Sequence, residues 1–375
     1  MAAPCTVGIP REVKEGEHRV AITPDGVSEL RAHDVEVVIE KSAGVDSSIT
    51  DDDYRAAGAE VLDKTDDVWG RADIVMKVKE PQDAEFARLR PGLVLFTYLH
   101  LAAYPAVADA LLEQKVTGIA YETVQLENGG LPLLAPMSEV AGRMATQIGA
   151  HFLERENGGR GILLGGVPGV RPARVVVLGA GNVGWNSAWI AQGMEAEVTL
   201  LDKNLDRLRF VDQIHQGRIV TLASNRGSAM RAVAEADLVV GAVLVPGGRA
   251  PVVVTDDMVR SMRPGSVIVD CAVDQGGCVE TIRETTHADP VYELHGVLHY
   301  GVGNIPAAVP HTSTYALTNA KLPYVLEVAS HGAAGAARRD PALALGCNTV
   351  AGHVTNQAVA ESLGLAFVEP LTALV

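Results

Sequence analysis

Six residues in the middle of the chain, Gly179-Ala180-Gly181-Asn182-Val183-Gly184, have the spacing of a phosphate-binding turn. They follow a β-branched run, Val175-Val176-Val177-Leu178, and open a helical stretch. In a strand–turn–helix unit of this kind the first glycine (Gly179) permits the tight turn. The second (Gly181) lets the backbone approach a pyrophosphate, and the third (Gly184) permits close packing of helix on strand. The helix N-terminus then offers free N–H groups and a positive dipole end to phosphate oxygens. The next β-like run, residues 197–201, ends at Asp202. A carboxylate at that place accepts hydrogen bonds from ribose hydroxyls and repels a 2′-phosphate, so NAD is expected in preference to NADP. Lys203, beside it, is a cation that could tolerate the phosphate.

An enzyme that moves a hydride on a small acid needs three further things: a cation for the carboxylate, a proton donor or acceptor, and a place beside the nicotinamide. The first third of the chain holds candidates where apolar runs end. Arg19 lies in Glu17-His18-Arg19-Val20-Ala21-Ile22, and arginine suits bidentate carboxylate binding. Lys77 and Lys79 follow Ile74-Val75-Met76, and strand alternation would put both on one face. His100 follows the run at 93–99 and carries the side chain that titrates nearest neutrality. Past a fifth run of the central region, Asp270-Cys271-Ala272-Val273-Asp274-Gln275-Gly276-Gly277 pairs an acid, Asp274, with glycines that allow close backbone approach. From spacing alone, each of these cations reads first as a solvated surface residue and His100 as a structural one. Trp185, directly after the third glycine, is bulky for that place and reads as an interdomain or subunit contact.

The elements that must position these residues can be read from periodicity. In the first third, apolar runs at Thr6–Ile9, 35–40, 73–78, 93–97 and 118–120 alternate with helical patterns at Pro24–Ala32 and 104–113. Such alternation implies a mostly parallel sheet. A long helix is expected from Ser138 to about residue 156, with Ser138 as its cap and Val140, Met144, Ile148 and Phe152 on one face. A glycine- and proline-rich loop at 158–172 leads to a second regular alternation, with strands at 175–178, 197–201, 219–222, 238–243 and Val267–Asp270. Near Pro306–Pro310 the chain leaves this region, and helices are expected at 313–331, 341–345 and 350–363. The fold class implied is α/β, with two Rossmann-like, doubly wound parallel-sheet domains. The outer domain is discontinuous, residues 1–136 and 309–375, around a nucleotide domain at 137–308.

Composition narrows the partners. A chain of 375 residues exceeds one compact core, which favours two domains. A formal charge of −15 argues against nucleic acid, whose phosphates favour basic surfaces. The four cysteines form no C-x-x-C pair, so reduced thiols are expected rather than a disulfide framework or zinc knuckle. The N-terminus turns polar after Pro10, and no apolar run approaches the ~18 residues of a membrane helix, so a cytoplasmic protein without membrane contact is expected.

These blocks, taken in order, resemble the alanine dehydrogenase family. The match runs through Glu17-His18-Arg19-Val20-Ala21-Ile22-Thr23-Pro24, Val78-Lys79-Glu80-Pro81, Leu99-His100-Leu101-Ala102, the stretches at 133–143 and 165–170, the glycine turn, Ala272–Gly277 and 309–320. It covers nearly the whole chain. The related transhydrogenase α subunit shares several blocks. What the resemblance implies is NAD-dependent interconversion of L-alanine with pyruvate and ammonia by a homo-oligomer, a hexamer. By motif match, Arg19 and Lys79 would bind substrate, and His100 and Asp274 would be catalytic. Ser138, Gly179, Gly181, Asn182, Val183, Gly184, Asp202, Arg207, Ser224, Val243, Leu244, Asp274, Val302, Asn304 and Ile305 would contact the cofactor. Glu327 and His331 match positions of a divalent-ion site, implying Mg2+, although spacing alone makes them an ordinary pair one helical turn apart. His311 departs from the family, which usually carries Arg or Lys before Thr-Ser-Thr. Three other readings stay open: a transhydrogenase NAD-binding subunit, a non-catalytic NAD-binding protein, and a dehydrogenase of a different amino acid.

Overall fold

A computed structural model describes residues 5–243 and 250–374. The chain divides into two compact units, one of Met1–Met137 with Ala307–Val375 and one of Ser138–Pro306. The α/β fold class read from the sequence is observed: each unit is a parallel-dominated sheet flanked by helices.

The first part of unit 1 runs β1 (Thr6–Ile9), α1 (Pro24–Ala32), β2 (Glu36–Glu40), α2 (Asp51–Ala56), β3 (Glu60–Leu62), α3 (Thr65–Arg71), β4 (Ile74–Met76), β5 (Val94–Thr97), α4 (Pro105–Glu113) and β6 (Thr117–Ala120). These strands lie in the order β3-β2-β1-β4-β5-β6, all parallel. The run at 73–78 yields only a three-residue strand. Short β3 and the helices on either side of it fall in polar stretches whose apolar content is too low to announce them.

Helix α5 (Ala135–Phe152) carries the chain into unit 2. It begins three residues before Ser138, with Ala135 N–H on Leu131 O at 2.9 Å and Pro136 in the first turn, where a missing N–H costs nothing. Ser138 is therefore inside the helix and does not cap it. Unit 2 continues β7 (Arg174–Leu178), α6 (Asn182–Gly193), β8 (Glu197–Asp202), α7 (Leu205–His215), β9 (Val220–Ala223), α8 (Arg226–Glu235), β10 (Leu238–Gly241), α9 (Asp256–Arg260), β11 (Val267–Asp270), β12 (Val291–Leu294) and β13 (Val297–Tyr300). Their order is β12-β13-β11-β10-β7-β8-β9, with β12 alone antiparallel. Val175, Val177, Leu238, Val240, Val267 and Val269 bury one face of this sheet against α5 and α6; Val176, Leu178, Val239 and Ile268 bury the other. Strands covered on both faces read as continuous apolar runs, which is why they were legible.

The return to unit 1 brings α10 (Pro310–Arg339), α11 (Pro341–Gly346), β14 (Cys347–Val350), β15 (His353–Val354), α12 (Gln357–Leu363) and α13 (Pro370–Ala373). Helix α10 runs past His331 but breaks at Gly332, whose φ of 67° and ψ of 165° are not helical. The helix expected over 350–363 is only its last half. Residues 347–354 instead supply two strands that extend the sheet beyond β6, β14 antiparallel to β6 and β15, at the edge, antiparallel to β14. Thr349 fixes the pairing, accepting from Gly118 N–H at 3.1 Å and donating to Val116 O at 3.1 Å.

Candidate active site

In unit 1 the strand order reverses between β1 and β4, the switch point where open α/β sheets bind ligands outside their carboxyl ends. The segments leaving β1, β4, β5 and β6 carry Arg19, Lys79, His100 and Glu122. Arg19 is 2% exposed. Its Nε donates to Glu17 Oε1 at 2.6 Å, its Nη2 to Glu17 Oε2, and its Nη1 to Met137 Sδ at 3.0 Å. Burial alone would lower the guanidinium pKa; the Glu17 charge more than offsets it, and the pKa is raised. A buried arginine held flat by a carboxylate on its Nε edge is not the solvated residue that spacing allowed.

The two lysines part ways. Strand β4 ends at Met76, so alternation does not extend to them. Lys77 is fully buried between Glu12 Oε2 and Glu85 Oε1, both at 3.0 Å, and belongs to the framework. Lys79 is half-buried, with its carbonyl fixed by Thr97 Oγ1 at 2.9 Å. Burial, then the charges of Arg19 and Lys14, push its pKa down. The structure thus brings Arg19 and Lys79 into one electrostatic neighbourhood.

His100 sits at φ 46°, a left-handed conformation that costs a side-chain-bearing residue about 1–2 kcal/mol. Glu122 holds it there, accepting from His100 N–H at 2.6 Å and Leu99 N–H at 3.2 Å. The His100 ring lies parallel to Tyr98 at 5.7 Å, with Nδ1 3.8 Å from Glu122 Oε1. Tyr98 in turn donates to Leu133 O at 2.6 Å and meets Tyr121 edge-on at 5.0 Å. Sequence reading missed Glu17, Tyr98, Tyr121 and Glu122. The one available signal was that each lies within two residues of a chosen residue or directly after the run that becomes β6.

Unit 2 has its own switch point, between β7 and β10. Gly179 has φ 101°, and a Cβ there would lie 2.5 Å from Ala242 O. A Cβ on Gly184 would lie 1.8 Å from Gly179 O, so the third glycine is required by backbone contact. At Gly181 nothing stands closer than Arg207 Nη1, at 3.9 Å. The backbone there is open to a ligand, as a pyrophosphate demands, and the residues fit a dinucleotide. Asp202 accepts from Ala180 N–H at 2.6 Å and Asn204 N–H at 2.7 Å, which locks its carboxylate to the glycine turn. Ser224 N–H bonds Asp202 O at 2.9 Å. Asn182 and Val183 open α6, and Val183 packs on α5, where a Cβ on Gly142 would lie 2.2 Å from Val183 O. Ser138 is half-buried in the first turns of α5, and Val243 follows β10. Val302 and Ile305 are buried after β13, flanking Asn304 at φ 59°. Leu244 lies outside the described residues.

Asp274 is exposed on a short turn, Val273–Gln275. Asp270 shapes that loop. Its buried carboxylate accepts from the N–H groups of Ala272 at 2.9 Å, Cys278 at 2.8 Å and Val279 at 3.0 Å. Burial raises the Asp270 pKa against the lowering effect of those bonds. The contacts of Trp185 in the structure are local to unit 2: it donates to His215 Nε2 at 3.0 Å, stacks on Trp189 at 5.7 Å and meets Phe210 edge-on. His311 bonds Ser47 O at 2.9 Å and tilts onto Tyr315. The four cysteines are free thiols.

Glu327 and His331 do not make a cation site. Glu327 Oε1 is paired with Arg339 Nε at 2.6 Å, and His331 Nδ1 is 3.9 Å away. Among the described residues no group of three or more His, Cys, Asp or Glu side chains is placed to hold a metal. A guanidinium on the carboxylate opposes a divalent ion there.

Two nucleotide-type sheets, one with an open glycine turn and one with a buried arginine and a strained histidine at its switch point, define a two-unit dehydrogenase-like α/β protein. The chain belongs to the alanine dehydrogenase/PNT family: the profile of its N-terminal domain matches residues 8–141 and that of its C-terminal domain residues 145–357. It is 56% identical over 368 residues to the alanine dehydrogenase of Mycobacterium tuberculosis strain H37Rv, covering 98% of this chain and 99% of that one. A solved L-alanine dehydrogenase superposes with TM-score 0.93 at 49% identity, covering 96% of this chain and 99% of that chain. A transhydrogenase from Sinorhizobium meliloti shares the fold, with TM-score 0.81 at 24% identity over 94% of this chain and 99% of that one.

Proposed function

We propose that this chain catalyses the reversible, NAD-dependent oxidative deamination of L-alanine to pyruvate and ammonia. The observation that carries the reading is the buried Arg19–Glu17 pair beside half-buried Lys79, with His100 held on Tyr98, in a chain 56% identical to an alanine dehydrogenase over its whole length. Unit 1 is the substrate domain and unit 2 the NAD domain. Bound NAD, held by the glycine turn, Asp202 and the neighbouring residues assigned above, supplies the acceptor for the hydride that leaves the substrate Cα.

The chain's own groups do the rest. Arg19 takes the substrate carboxylate in a charge-assisted pair, its Nε edge being fixed by Glu17. Lys79, partly desolvated, steadies the developing charge on the substrate oxygen. His100 takes a proton from the water that attacks the imine carbon, then returns it as the carbinolamine collapses to pyruvate and ammonia. Proton transfer of this kind is worth roughly 10²–10⁴ in rate. Asp274 orients the water or amine.

A homo-hexameric assembly and a cytoplasmic location belong to the same reading, supported by the family resemblance. No helix among the described residues is long and apolar enough to cross a membrane. The decisive experiment is NADH oxidation with pyruvate plus ammonium, compared with larger 2-oxo acids. Absence of pyruvate-dependent oxidation discards the reading. Binding of NADH without turnover would point to a transhydrogenase-type role. Light scattering on the purified protein tests the hexamer.

A further inference from the structure

Helix α10 buries a polar stripe in unit 1: Thr314, Thr318 and Lys321, each 1% exposed or less. Thr314 Oγ1 accepts from Val20 N–H at 3.2 Å, the residue next to Arg19, and pairs with Ser47 Oγ at 3.0 Å. The Thr318 hydroxyl has no hydrogen-bond partner. Lys321 Nζ donates to Tyr121 Oη at 3.0 Å and stands 5.0 Å from that ring's centre. Tyr121 in turn donates its hydroxyl hydrogen bond to Lys77 O, at 3.0 Å.

The surroundings of Lys321 are asymmetric in charge. The two other buried cations among the described residues of unit 1 each have a carboxylate: Arg19 has Glu17, and Lys77 has Glu12 and Glu85. No carboxylate among the described residues lies within ion-pair distance of Lys321. Facing it from the segment after β1 are Glu12, which favours its charge but is spent on Lys77 and Val78 N–H, and Arg19, which opposes it. From the turn after β6 comes only the neutral Tyr121. On its own helix the nearest titratable residue in sequence is Tyr324, three positions on. Burial, with Arg19 against it, pushes the amine down to about 7.

We propose that Lys321 senses the substrate anion: arrival of a carboxylate on Arg19 draws a proton from solvent onto Lys321 Nζ, and that ammonium tightens the hold of unit 1 on the 2-oxo acid. The step is an acid–base one; water or buffer gives the proton and the neutral amine receives it. Lys321 is thus a positioning residue that acts through Arg19, and the inference rests on the reading of Arg19 as the carboxylate site. Its sign is fixed by electrostatics. An added negative charge beside Arg19 cancels the repulsion that Arg19 exerts and favours the charged amine. Affinity is then highest below about pH 7, where Lys321 is protonated with or without substrate. It declines above that, to the level of a chain with no charge at this position. Each tenfold difference in affinity corresponds to about one pKa unit of differential protonation, so a displacement of half to one unit gives a roughly three- to tenfold effect.

The test is pyruvate binding to the NADH-loaded protein without ammonium, by calorimetry in two buffers of different ionisation enthalpy between pH 6.5 and 9. With a displacement of half to one unit, the parent is expected to take up at most about a quarter to a half of a proton, between pH 7 and 8. Lys321→Gln, which can still donate to Tyr121 Oη, should take up less by that fraction. It should bind pyruvate about three- to tenfold more weakly at pH 6.5 and equally well at pH 9. Equal proton uptake and parallel affinity profiles in parent and variant overturn the proposal, as does absence of any uptake by the parent, which needs no variant. If Lys321→Gln fails to fold, Lys321→Met carries the same comparison. Arg19→Ala separates the two readings. Unchanged pyruvate affinity in Arg19→Ala refutes the carboxylate site itself. Lost affinity there, with a parent-like Lys321→Gln, refutes only the sensor.

Discussion

Adding one methyl group at Gly184 tests the nucleotide turn more sharply than removing any side chain. The Cβ of Gly184→Ala would stand 1.8 Å from Gly179 O, 2.9 Å from Gly179 C and 3.2 Å from Val177 Cγ1. The first of these is a backbone atom in a tight turn, so rotamer changes cannot relieve the overlap; either α6 or the turn must move by about 1 Å in an interior packed like a crystal. Overpacking of this kind costs about 1–3 kcal/mol. In a domain of the size of unit 2 each kcal/mol lowers the melting temperature by roughly 2–4 °C, so a fall of about 2–12 °C is expected. The same displacement pulls the first N–H groups of α6 from the phosphates. Losing one hydrogen bond to a charged group costs about 1.5–3 kcal/mol, or roughly ten- to hundredfold in NADH affinity. Gly193→Ala is the internal control. It lies in the same helix with nothing within 4 Å of its Cβ, and should be neutral or stabilising by up to about 1 kcal/mol. NADH fluorescence titration and a thermal melt on both variants decide the matter. If Gly184→Ala binds and melts like Gly193→Ala, the argument that helix–strand contact dictates the third glycine is refuted.

Replacing His100 by Ala should leave NADH affinity intact and lower turnover at least tenfold, in line with the range for general acid–base catalysis; steady-state kinetics with pyruvate and ammonium report it, and parent-like turnover would remove His100 from the mechanism. For Glu17→Gln, the Nε edge of Arg19 loses its charged acceptor, so KM for pyruvate should rise about tenfold while NADH affinity stays the same; an unmoved KM would show that Glu17 does not hold the guanidinium. Asp202→Gly should raise NADPH use relative to NADH, and a ratio of specificity constants that does not move would put the ribose contact in doubt. Stability should carry the signature of the buried amine. Lys321 binds its proton less readily folded, at about 7, than its ordinary 10.5, so its penalty is fully present below pH 7, fades as pH rises above 7 and is gone above 10.5. Lys321→Met should accordingly raise the melting temperature by more at pH 6.5 than at pH 9.5, and equal increments at both would contradict a depressed folded-state value.

The sequence by itself determined what is local in cause. The turn at 179–184 is legible because three glycines, a β-branched strand and a following helix act on one another over a few residues, and backbone contact dictates their spacing. The strands of unit 2 are legible because both faces are covered and their apolar runs are unbroken. Arg19, Lys79 and His100 could be chosen by residue type and position, but not told apart from solvated residues, since what distinguishes them is company brought from elsewhere in the chain. Glu17 beside Arg19, Glu122 beneath His100 and the parting of Lys77 from Lys79 all follow from how four loops meet at the end of one sheet. Tertiary structure also decided that 347–350 is a strand, because Thr349 completes an edge on β6 more than two hundred residues away. It decided that Glu327 serves Arg339. It buried Lys321, on a helix that reads as ordinary, within the electrostatic reach of Arg19 and with no carboxylate among the described residues at ion-pair distance. Long-range neighbours set burial, and burial sets the charge a residue can carry; neither is written in spacing along the chain.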